Sequence, residues 1–186
     1  MSVEDFSLRP DALILKQDTL PTGTRYYIPE GRTDGGRDGL IVTFGLGEAG
    51  EWTGVFAFGN NGQLRTRAIV PLPESDLVVV VSDGDGYMVH ERQPGSFDGV
   101  RAVPVRSVHV IPSAGLLVLA DDTTMCAYGR QGLVWETERI AWSELVIEDV
   151  SSTKIRCRTY DIRSEENLVF EVDVQDGRCH GGIEVI

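Results

Sequence analysis

Short apolar runs separated by polar, glycine-rich stretches dominate the chain. Seven of them, at residues 12–15, 40–44, 55–58, 77–81, 108–111, 116–120 and 168–174, favour β-branched side chains and have the length of strands. The stretches between them carry turn signals: Asn60-Asn61-Gly62, Gln93-Pro94-Gly95, Gln131-Gly132 and Asp176-Gly177. No apolar period of 3.6 residues is sustained over three turns. The one stretch with room for a helical turn, 138–150, contains Leu145-Val146-Ile147, which reads better as a strand. The pattern predicts an all-β chain.

Four segments share a scheme of polar turn, apolar strand, second strand and glycine turn. They open with Asp38-Gly39-Leu40-Ile41-Val42, Ser75-Asp76-Leu77-Val78-Val79, Ala114-Gly115-Leu116-Leu117-Val118 and Thr153-Lys154-Ile155-Arg156-Cys157. The leading apolar residues Leu40, Leu77, Leu116 and Ile155 are 37, 39 and 39 residues apart. Each segment continues into a second strand: Val55-Phe56-Ala57-Phe58, Tyr87-Met88-Val89, Met125-Cys126-Ala127-Tyr128 and Val169-Phe170-Glu171-Val172. Two segments also follow a strand ending in proline, Ile69-Val70-Pro71 and Val110-Ile111-Pro112.

The stretch from Met125 to Trp135, with its strand, glycine turn and tryptophan, and the stretch from Val169 to Cys179 resemble blades of β-propeller proteins of the quinoprotein or WD-repeat type. The overall pattern is also similar to bacterial proteins without an assigned activity. The resemblance covers residues 38–182, and the period is close to the ~40–45 residues of a propeller blade. It implies a propeller-like antiparallel meander of four hairpin units, closed or open; a β-sandwich built from the same hairpins is the alternative. There is no Trp-Asp dipeptide, and nothing marks a quinone site. Residues 1–37, with Leu13-Ile14-Leu15 and Arg25-Tyr26-Tyr27-Ile28, are expected to supply N-terminal strands that finish the last unit of the 38–186 domain.

Composition narrows the partners. The 29 acidic and 17 basic residues give a net charge of -12, which repels nucleic-acid phosphates and anionic membranes. The densest basic group, Arg156, Arg158 and Arg163, is interrupted by Asp161 and followed by Glu165 and Glu166. The first residues show neither a cationic leader nor an apolar stretch of signal length. With three cysteines, Cys126, Cys157 and Cys179, in no paired spacing, the expectation is a protein of the reducing cytoplasm.

Motifs with catalytic potential are few. Asp83-Gly84-Asp85-Gly86 begins like a calcium loop but lacks the later ligands and reads as a tight hairpin turn. Asp121-Asp122-Thr123-Thr124 offers adjacent carboxylates, yet neighbours on a strand point to opposite faces, so a polar turn is the reading. His90, His109 and His180 show no metal-ligand spacing. Gly45-Leu46-Gly47 leads to Glu48 and Trp52 rather than a helix, which excludes a phosphate cradle. Ser113 lies in a turn, and Trp52, Trp135 and Trp142 read as packing residues. No cofactor or metal is expected.

One constellation rises above its parts. If the four units run alike, the loops joining their two strands emerge on one side, carrying Glu48, Glu51, Asp83, Asp85, Asp121, Asp122, Asp161, Glu165 and Glu166. The expectation is a non-enzymatic protein-binding module whose acidic loop face meets a basic protein, in one version as an immunity-type inhibitor. Two readings compete. One is a small-ligand binder or hydrolase with carboxylates at a central channel; the other is a structural subunit that self-associates, as a homodimer, through sheet edges.

Overall fold

The computed structural model describes residues 23–183 apart from 32, 35, 37, 46–49, 61–65 and 74. The strand expected at 12–15 lies outside the described residues. The described chain is all-β, with one single-turn 3-10 element, Pro112–Ala114, and no helix long and apolar enough to cross a membrane. It separates into two compact units. The first holds the described residues up to Pro71 together with Asp76–Val100; the second holds Leu72–Ser75 and the residues from Arg101 onward.

The first unit contains two sheets. One has β1 (Thr24–Ile28), β2 (Gly39–Phe44) and β3 (Trp52–Ala57) in the order β1-β3-β2. The other is a meander of β4 (Arg67–Pro71), β5 (Leu77–Ser82), β6 (Asp85–His90) and β7 (Phe97–Gly99) in chain order. Two expectations need correction. The first sheet is mixed rather than antiparallel, because β1 runs parallel to β3. The strand formed by Arg25–Ile28 joins that first sheet, not the sheet of the last unit, because its edge is taken up residue by residue, Thr24 opposite Trp52 through Ile28 opposite Phe56. A core of Ile28, Val42, Phe44, Trp52, Phe56, Val78, Val80 and Val89 lies between the two sheets.

The second unit is built from two further meanders. These are β8 (Ser107–Ile111), β9 (Leu116–Ala120), β10 (Met125–Gly129) and β11 (Gly132–Glu136), then β12 (Val146–Val150), β13 (Lys154–Asp161), β14 (Glu166–Asp173) and β15 (Cys179–His180). Its core takes Val118, Met125 and Trp135 from one sheet and Ile155, Phe170 and Val172 from the other. Ile140, Ala141 and Leu145 of the connecting segment join that core, the isoleucine and the leucine each contributing about 1.5–3 kcal/mol.

Burial follows the sequence pattern. The unbroken apolar run of β5 is buried on both faces, as continuous runs are when both faces of a strand are covered. In β13 the pattern alternates: Ile155, Cys157 and Thr159 point inward, while Arg156 and Tyr160 are exposed. The leading residues of the four sequence segments fall on β2, β5, β9 and β13, one in each sheet.

Candidate functional site

In the first unit the acidic candidates do not converge. Asp83 and Gly84 form a two-residue hairpin turn between β5 and β6, with φ of 49° and 92°, the left-handed pair that a type I′ turn needs. The Asp83 carboxylate is buried, and Arg67 donates to both of its oxygens at 2.7 and 3.2 Å. The same guanidinium lies 4.7 Å from the centre of the Phe58 ring. Asp83 is therefore a structural carboxylate that fixes the turn to β4. Asp85 begins β6, half-buried.

Glu51 sits at the other end of β3. It leads into Trp52, whose indole donates to the carbonyl of Glu91, just past the end of β6, at 2.7 Å. At the opposite end of β3, Gly59 N–H donates to Ser82 O and Ser82 Oγ donates to Phe56 O, and this is the end where Asp83 turns. The β2–β3 hairpin thus runs end for end against β5–β6. The expected common side for their loops does not hold within this unit. Glu48 lies outside the described residues.

In the second unit the two acidic loops do meet, through the segment between β11 and β12. Ile140 N–H donates to Thr123 O at 2.9 Å, and Leu145 N–H to Asp122 O at 3.1 Å. Thr159 Oγ1 donates to Ser143 O, and the Trp142 indole donates to Asp161 Oδ1 at 3.2 Å. The β9–β10 turn and the β13–β14 turn are therefore stitched to one strap at one end of the unit.

Three carboxylates at this end, those of Asp121, Asp122 and Asp161, are occupied by the chain itself. Asp121 Oδ1 accepts from the backbone N–H groups of Thr123 and Thr124, at 2.6 and 2.7 Å, and from Thr123 Oγ1; its Oδ2 accepts from Thr124 Oγ1. This is a short polar side chain standing in for backbone partners in a turn. Asp122 Oδ2 takes two bonds from Arg106, at 3.1 and 2.9 Å. Asp161 accepts from Arg163 N–H at 3.0 Å and from Ser164 Oγ at 2.9 Å. Those donors, Arg163 N–H foremost and Ser164 Oγ next, hold its carboxyl below the ordinary carboxylate range.

What remains presented to solvent is different in kind. Glu144, Glu165 and Glu166 are exposed. In the β13–β14 hairpin Ile162 is 61% exposed and Tyr160 41% exposed. Trp142 is half-buried between two guanidiniums, with Arg139 5.3 Å and Arg163 5.0 Å from its ring centre, and Arg139 donates to the Trp142 carbonyl at 2.7 Å. No protein-family model, curated protein or solved structure matches this chain. The chemistry of this end therefore has to be taken from its own side chains.

Asp121 and Asp161 have their acceptor positions filled by turn donors, and a general base needs an oxygen within reach of a substrate proton. Among the described residues no group of three or more His, Cys, Asp or Glu is placed to hold a metal ion. All three cysteines are free thiols. Burial pushes the Cys126 thiol up to about 11 and the Cys157 thiol up to about 12, which leaves both as protonated core residues at neutral pH. The apolar pair Ile162 and Tyr160 and the stacked Trp142 were not singled out by sequence reasoning as binding residues. The signal available was an isoleucine between Asp161 and Arg163 in an otherwise polar loop.

Proposed function

We propose that the chain is a non-enzymatic protein-binding module and that the strapped loop end of its second unit docks a basic partner protein. The observation that carries this is the exposure of Ile162 in the β13–β14 turn, between the Asp161 that accepts from the Trp142 indole and the Arg163 that lies over its ring. Aromatic, arginine and apolar anchors surrounded by polar side chains are the make-up of interface centres. The exposed carboxylates of Glu144, Glu165 and Glu166 supply the rim, where charge steers encounter and selects a cationic surface. Asp121, Asp122 and Asp161 act one step back in this reading, by shaping the loops that present the anchors. An immunity-type inhibitor masking a cationic active site is the version that a net charge of -12 favours.

The propeller-like reading of the units is kept as part of this proposal. It is supported by the in-order strands of three sheets, β4 to β7, β8 to β11 and β12 to β15. A reducing cytoplasm is the compartment that three free thiols favour.

The test is affinity capture from a native lysate at low and high salt, with the wild-type chain, Ile162→Asp and the pair Glu165→Lys and Glu166→Lys. A basic protein retained by the wild type, lost with Ile162→Asp and released by high salt supports the reading. The same protein retained equally by all three baits refutes this face as the site.

A further inference from the structure

Resting on the docking reading above, we infer that the partner is taken up as an extended, basic strand along the open edge of β14. β13 and β14 pair without a break, Lys154 opposite Asp173 through Asp161 opposite Glu166. On its other side β14 is covered by β15 at Glu171 and Val172 alone. Beyond His180 the chain turns off at two left-handed glycines, Gly181 and Gly182, with φ of 103° and 85°. A Cβ on Gly181 would stand 3.0 Å from Cβ of Phe170, and one on Gly182 3.1 Å from the Ile140 carbonyl oxygen. The rest of β14 is left with an edge that β15 does not follow.

Backbone direction says what that edge offers. Asp173 N–H donates to Arg178 O, while Val174 N–H donates to Thr153 O. Glu171, Val169 and Asn167 therefore point their N–H and C=O groups to the β15 side. Among the described residues no strand pairs with Asn167 or Val169 there. Both side chains are exposed, that of Val169 by 50%. From Glu166 to Phe170 there is no proline, lysine or bulge of the kind that guards an edge. Backbone donors and acceptors in a row beside an apolar side chain are what an extended segment adds to.

Charge selects the segment. Glu165, Glu166, Glu171 and Asp173 border or lie on β14, and no basic residue does so from 165 to 173. The cations of the sheet lie one strand in and are engaged there, Arg156 and Arg158 with Glu148 on β12 and Lys154 with Asp173. Arg158 also donates to Asn167 Oδ1 at 3.3 Å, and Arg163 lies over Trp142. A lysine or arginine opposite Glu166 gains a cross-strand pair, and a β-branched residue beside Val169 covers it. A second copy fits less well. The antiparallel register that uses both Asn167 and Val169 sets Glu165 against Glu171 across the two-fold axis, like charge on like.

The full-length chain labelled with nitrogen-15 is titrated with the peptide acetyl-Lys-Thr-Val-Thr-Val-Lys-amide. The comparison is the same peptide methylated on every threonine and valine nitrogen, which keeps the charge and removes the strand donors. Saturable shifts of the Asn167 and Val169 amides are expected with the first. Binding at least about tenfold weaker is expected with the second, the loss of two backbone bonds being of that order. Val169→Pro removes a donor on the open side and no bond to β13. It is expected to weaken the peptide by about fivefold or more, while Val169→Thr retains it. No saturable shift, equal binding of the methylated peptide or unchanged binding in Val169→Pro overturns the inference. Shifts that follow the concentration of the protein alone assign the edge to a second copy and overturn it too. Lysate capture separates the edge from the docking reading. A basic partner lost with Ile162→Asp but kept by Val169→Pro leaves the face standing and overturns the edge. Peptide binding at the edge with no partner captured supports the edge and sinks the face.

Discussion

Gly177 shows how closely single residues are fitted in the second unit. Its φ of +72° is in the left-handed region, and a Cβ there would stand 2.6 Å from Cε3 of Trp135. Trp135 is itself held by its indole bond to Val174 O. Gly177→Ala combines the left-handed penalty with overpacking against an immobile ring and is expected to destabilise by about 2–4 kcal/mol. Gly115→Ala meets nothing within 4 Å at φ +65° and is expected to cost only about 1–2 kcal/mol. Urea unfolding of the two variants checks this; equal losses would mean that the contact with Trp135 does not matter. Asp176-Gly177 is legible in the sequence as a turn, since the dipeptide carries the signal. The clash with Trp135 is not, because the two residues meet only when β11 and the β14–β15 turn come to the same end.

At the scale of elements, strand identity follows from local pattern and strand pairing does not. The alternation of Lys154 to Tyr160 gives β13 one wet face, and the run Leu77–Val81 gives β5 two dry ones; both are visible before folding. The parallel placement of β1 against β3 is invisible, because register and direction there depend on where a distant hairpin leaves its edge. The same blindness misplaced the acidic loops. The β2–β3 and β5–β6 hairpins look alike in sequence yet turn at opposite ends of β3, and only the contacts of Trp52 and Ser82 reveal it. The β13–β14 turn carries its own testable chemistry. Its Asp161 carboxyl is held down by the N–H of Arg163 and by Ser164. A group with a lowered folded pKa stabilises above its unfolded value, about 3.9, and loses that contribution as pH falls through the folded value. Asp161→Asn is therefore expected to flatten the fall in unfolding free energy below about pH 4. Asp173, whose carboxyl is lowered chiefly by Lys154 and then by His180, contributes to the slope that remains. An unchanged slope in Asp161→Asn, measured by urea unfolding from pH 2.5 to 7, would show that the turn bonds do not persist in solution.

For the molecule as a whole, charge set the direction of inference and geometry refined it. A chain of net charge -12 has acidic loops almost everywhere, so acidity alone cannot choose a face. Asp83, Asp121, Asp122 and Asp161 accept bonds from the chain itself, while Glu165, Glu166 and Ile162 are exposed, and the proposed face rests on that difference. The most direct check of the binding account is site-specific photo-crosslinking in the native lysate, with a photoreactive side chain at Ile162 or, as the comparison, at exposed Gln93 on the β6–β7 turn of the first unit. The account predicts a discrete crosslink to a basic protein from position 162 and none from position 93. Crosslinking to that partner from position 93 with nothing from position 162 would contradict it.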